Sequence, residues 1–311
     1  MATKNVKAVK TAYKQLDHHI EEILHMSGSE VMSSVDAWNN LPWTRQYFGD
    51  QPKEGYLIWI KEQPDCSFLA CLSLDKPGTK QQLNNLIVIE TGLYVDLTGT
   101  CESASTLTTT TAGDFRSHQA KGKLILKKGS SLYYQHVHNW DKNDRVSTNY
   151  EFFLEEGASL AYTYKIEAAA AVMNMQAQMH LAKGARSDLK ILADCQETKI
   201  DLTDTAYLEG AGANAISTLR IVGRKNATVK ARSKIIAQAA AKGHLDCGAL
   251  MLDKTAKLTL IPELLVANQD AQVTHEASIG KLSAEQILYL RSRGLTAKEA
   301  EDLILRGFLS E

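Results

Sequence analysis

Turn residues recur along the middle of the chain at a nearly constant interval, and this spacing limits the folds that the chain can adopt. Four glycine-centred turns follow one another about 28 residues apart, a period typical of stacked repeats. They are Lys128-Gly129-Ser130, Glu156-Gly157-Ala158, Lys183-Gly184-Ala185 and Ala211-Gly212-Ala213. Asn226 falls half an interval after Gly212, and Lys254 falls one full interval after Asn226. A fixed interval of this length indicates a solenoid, in which each coil buries its inner face against its neighbours.

Short β-prone runs lie between these turns. Most of them alternate apolar and polar residues with a period of two, which is typical of a strand with one buried face. Examples are Tyr56–Ile60, Leu86–Glu90, Lys123–Lys127, Tyr150–Leu154 and Ser217–Val222. Helical segments of about 10 to 15 residues are missing between them, which argues against a doubly wound α/β sheet. The sequence therefore predicts a stack of β coils, with an antiparallel β-sandwich of accidental turn spacing as the alternative.

The two ends of the chain have a helical pattern. Apolar residues at steps of three and four predict an amphipathic helix over residues 5–25, and residues 28–54 indicate a short helix with a connector. Near the C-terminus, Ser283 with Gln286 and Thr296 with Glu299 match the capping-box pattern. Gly294 and Gly307 are expected to close the two helices that follow these caps.

Three regions follow from these patterns. We expect an N-terminal helical region over residues 1–54, a β core over 55–281 and a C-terminal helical region over 282–311.

Charge and cysteine usage narrow the functional classes. The net charge is −1 and no dense run of basic residues is present, which argues against nucleic acid and anionic membranes as partners. The chain contains no apolar signal core and no stretch of about 18 apolar residues, so it should not span a membrane. Its five cysteines form no Cys-x-x-Cys pair. The absence of a disulfide pattern predicts a reducing, cytoplasmic location.

Common catalytic motifs are absent from the sequence. It lacks a P-loop, so we expect this chain to bind no nucleotide by that mode. It also lacks the Gly-x-Ser-x-Gly elbow of hydrolases and the His-Glu-x-x-His helix of metalloproteases.

The strongest candidate site combines Cys247 with the adjacent residues His275 and Glu276. His275 follows Cys247 by one interval of the repeat, and Glu276 follows it by one residue more. In a β-solenoid, residues one coil apart lie on neighbouring strands about 4.8 Å apart, a gap that a metal ion can bridge. Adjacent strand residues point to opposite faces, so only one of the pair can share a face with the thiol.

The sequence leaves open which of the two residues that is. The spacing favours His275, whereas the cost of an unliganded inward carboxylate favours Glu276. A structural, buried cysteine is the alternative to a metal site.

Other thiols and imidazoles give weaker signals. His136 and His138 form an i, i+2 pair on one strand face, which can bind metal but is more simply a solvated or hydrogen-bonded face. Cys195 is interpreted as a core residue. His244 and Asp246 should lie on the face opposite to Cys247 if their strand is regular.

The last third of the chain strongly resembles the SufB/SufD family of iron–sulfur cluster assembly proteins. The match is dense from about residue 240 to 309 and thinner back to about residue 55, where it includes His138-Asn139-Trp140. The motifs that carry it are Gly243-His-Leu-Asp-Cys247, Ile261-Pro-Glu263, His275-Glu-Ala-Ser-Ile-Gly-Lys-Leu-Ser-Ala-Glu-Gln286, Tyr289-Leu-Arg-Ser-Arg-Gly294 and Gly307-Phe-Leu309. The chain resembles the SufB type in a minimal form, because the segments that flank these motifs are short.

The resemblance implies a right-handed parallel β-helix core with short helical ends. It also implies a scaffold rather than an enzyme, on which a nascent, labile iron–sulfur cluster is built. By position, Cys247 matches the SufB cysteine that receives sulfur and binds the cluster. His275 and Glu276 match the His-Glu pair beside that cysteine.

The same resemblance implies several partners. A SufC-like ABC-type ATPase would bind the C-terminal helices, where the candidate contact residues are Tyr289, Arg291, Leu303 and Phe308. The scaffold would pair with a second copy of itself or with a paralogue. A sulfur donor and recipient apoproteins would also have to bind.

Two other functions stay open at this point. One is a structural, SufD-like partner without its own cluster. Such a partner needs no cysteine that faces the ligands, so the presence of Cys247 would distinguish this chain from it. The other is a β-solenoid carbohydrate-active enzyme. Such an enzyme needs clustered carboxylates, and the acidic residues of this chain are scattered.

Overall fold

In a computed structural model that describes residues 8–104 and 115–310, the chain forms a β-solenoid of about seven turns with short helices near its two ends. The strands in chain order are β1 (Val9–Leu16), β2 (His19–Ile23), β3 (Ser29–Ser33), β4 (Tyr56–Ile60), β5 (Ser67–Leu74), β6 (Lys80–Ile89), β7 (Tyr94–Ser103), β8 (Ser117–Leu126), β9 (Ser131–Asn139), β10 (Arg145–Leu154), β11 (Ser159–Ala168), β12 (Val172–Leu181), β13 (Arg186–Gln196), β14 (Lys199–Leu208), β15 (Asn214–Arg224), β16 (Thr228–Ala237), β17 (Lys242–Met251), β18 (Lys257–Val266) and β19 (Gln272–Lys281). The helices are α1 (Ser34–Asn40), α2 (Arg45–Phe48), α3 (Ala284–Ser292) and α4 (Ala297–Phe308), and a 3-10 turn (Pro42–Thr44) precedes α2.

Two sheets form the walls of the solenoid, because each coil contributes one strand to each wall. Sheet A has the strand order β19-β17-β15-β13-β11-β9-β7-β5-β1-β2, and sheet B has the order β18-β16-β14-β12-β10-β8-β6-β4-β3. The pairs between successive coils are parallel, and the antiparallel pairs β1–β2 and β3–β4 close the N-terminal end. Parallel walls rule out the antiparallel sandwich and confirm the predicted solenoid.

The register between coils explains the repeat in the sequence. Successive register partners in sheet A are Ser131, Ser159, Arg186, Asn214, Lys242 and Gln272. Their spacing follows that of the glycine turns, except that the last interval, from β17 to β19, is two residues longer. Because neighbouring coils are nearly equal in length, inward residues stack on inward residues from one coil to the next.

The glycine turns connect sheet B to sheet A at the corners that lead into β9, β11, β13 and β15. Gly129, Gly157, Gly184 and Gly212 all have a positive φ, between 67° and 75°, which side chains other than glycine rarely adopt. The N–H of Gly157 donates to Lys183 O at 2.9 Å, and the N–H of Gly184 donates to Ala211 O at 3.0 Å. The turns of adjacent coils are thus hydrogen-bonded to each other, and the positive φ explains why glycine recurs at this position.

Inward side chains of both walls fill the interior. Large aromatic residues such as Tyr134, Tyr150, Phe152 and Tyr162 are fully buried there, and the rings of Tyr134 and Tyr162 stack between neighbouring coils.

A buried ion pair lies at one corner of the solenoid. Arg116 Nε donates to Asp144 Oδ1 at 3.0 Å, and Arg116 Nη2 donates to Asp144 Oδ2 at 3.1 Å. Arg116 Nη1 also donates to the carbonyl oxygens of Leu74 and Asp75, so the pair ties several coils together.

The helix predicted over residues 5–25 is wrong. Residues 8–25 of that segment form the hairpin of β1 and β2, and β1 joins sheet A beside β5, while residues 5–7 lie outside the described part of the chain. The register between β1 and β5 shifts between Thr11 and Tyr13, so the adjacent residues Ala12 and Tyr13 are both buried. A bulge of this kind breaks the period of two, and the resulting apolar spacing imitates that of a helix.

Residues 28–54 are helical only in part. Strand β3 comes first, and α1 follows with Ser33 as its N-cap, whose hydroxyl accepts from Asp36 N at 3.0 Å. Helices α1 and α2 cover the outer face of sheet B, where a small apolar cluster includes Ala37, Phe48, Leu57, Leu86 and Val88. The N-terminal region is therefore a mixed cap rather than a helical one.

The C-terminal helices begin at their expected caps. Ser283 Oγ accepts from Gln286 N before α3, and Thr296 with Glu299 forms a reciprocal capping box before α4. Gly294 follows α3 with a φ of 97°. Gly307, in contrast, lies inside α4, which continues to Phe308.

We expect Asp144→Asn to destabilise the solenoid strongly. The change leaves the guanidinium of Arg116 buried without its carboxylate, which typically costs about 3–5 kcal/mol. Chemical denaturation followed by circular dichroism would measure the loss. The control is Glu156→Gln, which removes an exposed ion pair with Lys128 and should leave the transition unchanged. Equal transitions for the two variants would contradict a stabilising role for the buried pair.

Candidate metal centre

Cys247 lies on the inner face of β17, one coil before the C-terminal end of the solenoid. It is buried together with Leu245 and Ala249, which share its face of the strand. Its register partners are Leu219 on β15 and Ala277 on β19. The thiol is therefore enclosed by the last two coils of sheet A.

The neighbours of Cys247 along the strand point away from it. His244 and Asp246 have the opposite parity and point outward, as predicted. His244 Nδ1 lies 2.7 Å from Thr274 Oγ1 on the outer face. Neither side chain can therefore join the thiol in one site.

His275 and Glu276 lie on β19, the last strand of sheet A. Because the final interval is two residues longer than the usual coil, Ala277 rather than His275 lies opposite Cys247, and His275 lies opposite Leu245. His275 still has the parity of the inner face, so it shares that face with Cys247 as a diagonal neighbour. Glu276 lies opposite Asp246 on the outer face. The structure thus brings the imidazole, and not the carboxylate, to the face of the thiol.

No described residue covers the inner face of the last coil. His275 is exposed, and the inward-parity residues Val266 and Ile279 are 50% and 45% exposed, although the equivalent positions of earlier coils are buried. No described strand continues either sheet beyond β18 and β19. Cys247 is consequently separated from solvent by a single layer of side chains, at an open end of the solenoid.

A buried carboxylate lies inside the solenoid close to Cys247. Asp204, on β14, accepts hydrogen bonds from Ser217 Oγ at 2.8 Å and from Ser233 Oγ. Ser233 is its register partner on β16. Burial raises the pKa of Asp204 to about 6.

Asp204 is absent from the residues predicted from the sequence, although the pattern of its strand indicates it. Ile200 and Leu202 precede it at the same parity and are buried, so the strand pattern places Asp204 on the apolar face. A polar residue at an apolar position of a regular strand is the mark of a buried polar group.

The surroundings of Cys247 favour the neutral thiol. Burial raises the pKa of Cys247 to about 12, with smaller contributions in the same direction from the charges of Asp204 and Asp246. Thiolate is the form that binds metals. A metal ion that binds Cys247 must therefore displace its proton, and binding should strengthen as the pH rises.

Helix α4 is anchored directly behind the cysteine. Arg220, on β15, forms an ion pair with Asp246, with Nη2 at 2.6 Å from Oδ2, and hydrogen bonds from Arg220 hold the pKa of Asp246 below its ordinary value. The Arg220 guanidinium lies 5.8 Å from the centre of the Phe308 ring. A Cβ at Gly248 would lie 3.3 Å from the Phe308 ring, so glycine lets the helix approach β17 closely.

Three of the candidate partner-binding residues are exposed, and the fourth packs against its own chain. Tyr289 and Leu303 are 58% and 44% exposed, and Arg291 is also exposed. Phe308 instead packs against Arg220 and Gly248 of its own chain. A groove of about 400 Å³ lies between α3 and α4, lined by Glu285, Gln286, Tyr289, Leu290 and Ile304.

A second group of metal-binding side chains lies in the middle of the solenoid. Cys101, on β7, is the register partner of His138 on β9, and its Sγ atom lies 3.2 Å from His136 Nε2. His136 and His138 point into the core and are fully buried, so the expectation of a solvated strand face is wrong for this pair. The alternative expectation, a hydrogen-bonded face, is confirmed for His136. Cys195 is a core residue, as predicted.

The contribution of Cys101 was not visible in the sequence. The interval from Cys101 to His138 is nine residues longer than the usual coil, so the repeat does not align them.

In the part of the chain that the structure describes, no helix has the length and apolar character needed to cross a membrane.

Comparisons with known proteins identify relatives of this chain. A sequence profile described as "SUF system FeS cluster assembly, SufBD core domain" matches residues 72–308. A protein of Archaeoglobus fulgidus, named an iron–sulfur cluster assembly SufBD family protein, is 28% identical over 91% of this chain and 79% of its own length. Another of the same name, from Methanothermobacter thermautotrophicus, is 25% identical over 78% of this chain and 58% of its own length. A relative from Pyrococcus horikoshii is 40% identical over 35% of this chain and 25% of its own length.

We expect Asp204→Asn to make the Cys247 thiol more reactive. Removal of a buried negative charge favours the thiolate and lowers the pKa of Cys247, and each unit of that shift raises the thiolate fraction about tenfold. The rate of alkylation of Cys247 at about pH 8, followed by peptide mass spectrometry, measures the effect. Asp201→Asn, on the outer face of the same strand, is the matched control. A slower or unchanged rate in Asp204→Asn would contradict the electrostatic influence of Asp204 on the thiol.

Proposed function

This chain belongs to the SufBD family of iron–sulfur cluster assembly proteins, and on this premise we propose that it is the scaffold on which a nascent cluster is built. The cluster is the cargo of the protein. In this proposal Cys247 supplies a thiolate ligand and His275 supplies an imidazole ligand at the open end of the solenoid. The protein itself catalyses no organic reaction.

The observation that carries the proposal is the placement of Cys247. Its thiol lies under the last coil and shares a face with His275. No described strand continues the sheets beyond that coil. Thiolate is the usual ligand of iron in clusters, and imidazole replaces it at some iron atoms. A site one layer below an open end can receive iron and sulfide and can release a finished cluster without unfolding of the solenoid. A ligand set of only a few protein atoms also suits a labile cluster.

Glu276 lies on the opposite face of β19 from His275. It lies on the outer face beside Asp246, and its side chain is exposed. The comparison between these two adjacent residues therefore separates a ligand on the inner face from a charge on the outer face.

We propose that a SufC-like ABC-type ATPase binds the α3–α4 pair. The groove between the helices and the exposed side chains of Tyr289 and Leu303 give this surface the apolar character that a protein partner needs. The sequence contains no P-loop, so nucleotide turnover would be the task of the partner. Sulfur would arrive from a donor protein, and recipient apoproteins would accept the cluster.

We further propose that a second SufBD chain, either another copy or a paralogue, covers the open end. Strands β18 and β19 present unpaired edges within the described part of the chain, and Val266 and Ile279 are exposed beside them. An exposed edge with apolar side chains favours pairing with another strand. All five cysteines are free, which suits a reducing cytoplasm as the place of this assembly.

Two alternative functions are weaker. A structural, SufD-like role requires no inward cysteine at this end, so Cys247 argues against it. A carbohydrate-active enzyme is not favoured, because the family match concerns cluster assembly.

One test of the proposed function concerns the cluster ligand. Anaerobic reconstitution of the protein with iron and sulfide should produce a sulfur-to-iron charge-transfer band in the visible spectrum, which Cys247→Ala should abolish. Cys195→Ala removes a buried cysteine elsewhere in sheet A and should keep the band. His275→Ala should lower the iron and sulfide content, and Glu276→Ala should lower it less. Normal iron and sulfide content in Cys247→Ala would overturn the site, and absence of a band in the unaltered protein would support the structural role.

Another test concerns the ATPase surface. Leu303→Asp should weaken binding to the ATPase in co-purification by tenfold or more, because it places a charge in an apolar contact. A tenfold loss of affinity corresponds to about 1.4 kcal/mol of binding free energy. Ile216→Asp is the matched control, since Ile216 is 42% exposed on the outer face of β15, away from the helices. Unchanged co-purification of Leu303→Asp would show that the ATPase binds elsewhere.

A further inference from the structure

The buried group formed by Cys101, His136 and His138 has the composition of a metal site. One ligand atom of each residue lies within 4.8 Å of the others, and all three side chains are at most 1% exposed. Sulfur and imidazole ligands bind zinc at about 2.3 and 2.0–2.1 Å, so one ion fits among atoms at these separations after small movements. The group lies four to five strand spacings from Cys247, or roughly 19–24 Å along the solenoid, and is a separate site.

The surrounding residues make room for these side chains. Gly99 is the register partner of His136, and a Cβ at Gly99 would lie 3.1 Å from His136 Cδ2 and 2.8 Å from Tyr134 Oη. A side chain at position 99 would therefore force His136 and Tyr134 to move. Glycine in the interior of a strand weakens it, and here the space it leaves is occupied by the Tyr134 ring and the His136 imidazole.

His136 is oriented for coordination. Its Nε2 lies 3.2 Å from Cys101 Sγ, and its Nδ1 lies 3.2 Å from Tyr162 Oη. With the thiol donating to Nε2 and Nδ1–H donating to Tyr162, the Nε2 lone pair already faces the sulfur. An oxygen that accepts from the second ring nitrogen is the usual support of a metal-binding histidine.

His138 is the residue with an unmet hydrogen-bonding need. Its Nε2 is buried and has no partner, whereas its Nδ1 accepts from Trp140 Nε1 at 3.1 Å. The bond from Trp140 places the ring proton on Nε2. A buried polar atom without a partner costs free energy, and it marks a position where a ligand is expected.

We propose that Cys101, His136 and His138 form an internal binding site for one thiophilic divalent cation of the zinc class. On binding, a metal–sulfur bond forms as the Cys101 S–H proton leaves to solvent, and the His136 Nε2 lone pair that had accepted from the thiol coordinates the ion. Coordination by His138 Nε2 requires its proton to move to Nδ1 and the bond from Trp140 to break. The ion links β7 to β9, and the site does not depend on the proposed function of Cys247.

Metal content tests the site directly. The Cys247→Ser variant of the whole chain, in which the other candidate site is removed, is purified from zinc-supplemented cells and its zinc is measured. We expect about one zinc per chain, loss of that zinc when Cys101→Ser is added, and retention when Cys195→Ser is added instead. Cys195 is a buried cysteine of the same sheet and so controls for the perturbation of the core. Less than a tenth of an equivalent in Cys247→Ser, or zinc that survives Cys101→Ser, overturns the proposal.

Two measurements decide the matter if the Cys101 variant does not fold. X-ray absorption of zinc-loaded Cys247→Ser should show one sulfur and at least two nitrogen neighbours, and a shell without sulfur overturns the site. Trp140→Phe should tighten zinc binding about threefold to tenfold in chelator competition, because loss of one hydrogen bond frees Nδ1 to carry the proton. Weaker binding in Trp140→Phe, with the fold intact by circular dichroism, contradicts the assignment of His138 as a ligand.

Discussion

Stacking of equal coils is the constraint on which the rest of this structure depends. A single coil cannot cover its own inner face, so every buried side chain of the solenoid is covered by the coil before it and the coil after it. From β8 to β19 the coils accordingly keep a length of 27 to 30 residues, and the requirement fixes the parity of each strand. It also means that the last coil has no cover from the described part of this chain. The position of Cys247, enclosed but only one coil from that end, follows from the same rule that builds the core.

Much of the fold could be predicted because the coils repeat. The left-handed corners that lead into β9, β11, β13 and β15 favour glycine, and hydrogen bonds between corners hold Gly157 and Gly184 in register, so the repeat is visible in the sequence. The N-terminal hairpin was mistaken for a helix because the bulge at Ala12 and Tyr13 disturbs the period of two. Local periodicity cannot reveal that β1 is completed by β5, which comes much later in the chain.

The sites depend on deviations from the repeat, and these were harder to predict. The sequence identified Cys247, but the length of the last interval decides that His275 shares its face and that Glu276 does not. A much longer interval hides the pairing of Cys101 with His138. Asp204 is revealed only by its parity, because no motif surrounds it. Chemistry in this protein is placed where one coil differs from the others, and a pattern based on equal coils passes over such places.

The contact between Phe308 and Gly248 has a mechanical consequence. Gly248 follows Cys247 directly in β17, and the ring of Phe308 lies against its backbone from the outside while the thiol points inward. Arg220 links helix α4 to strand β17, because its guanidinium packs against the Phe308 ring and forms an ion pair with Asp246, the residue before the cysteine. Only the thickness of one strand separates α4 from the thiol. A force applied to α4 therefore acts on the backbone of the cysteine itself, and the solenoid behind it serves as the rigid support against which that force works.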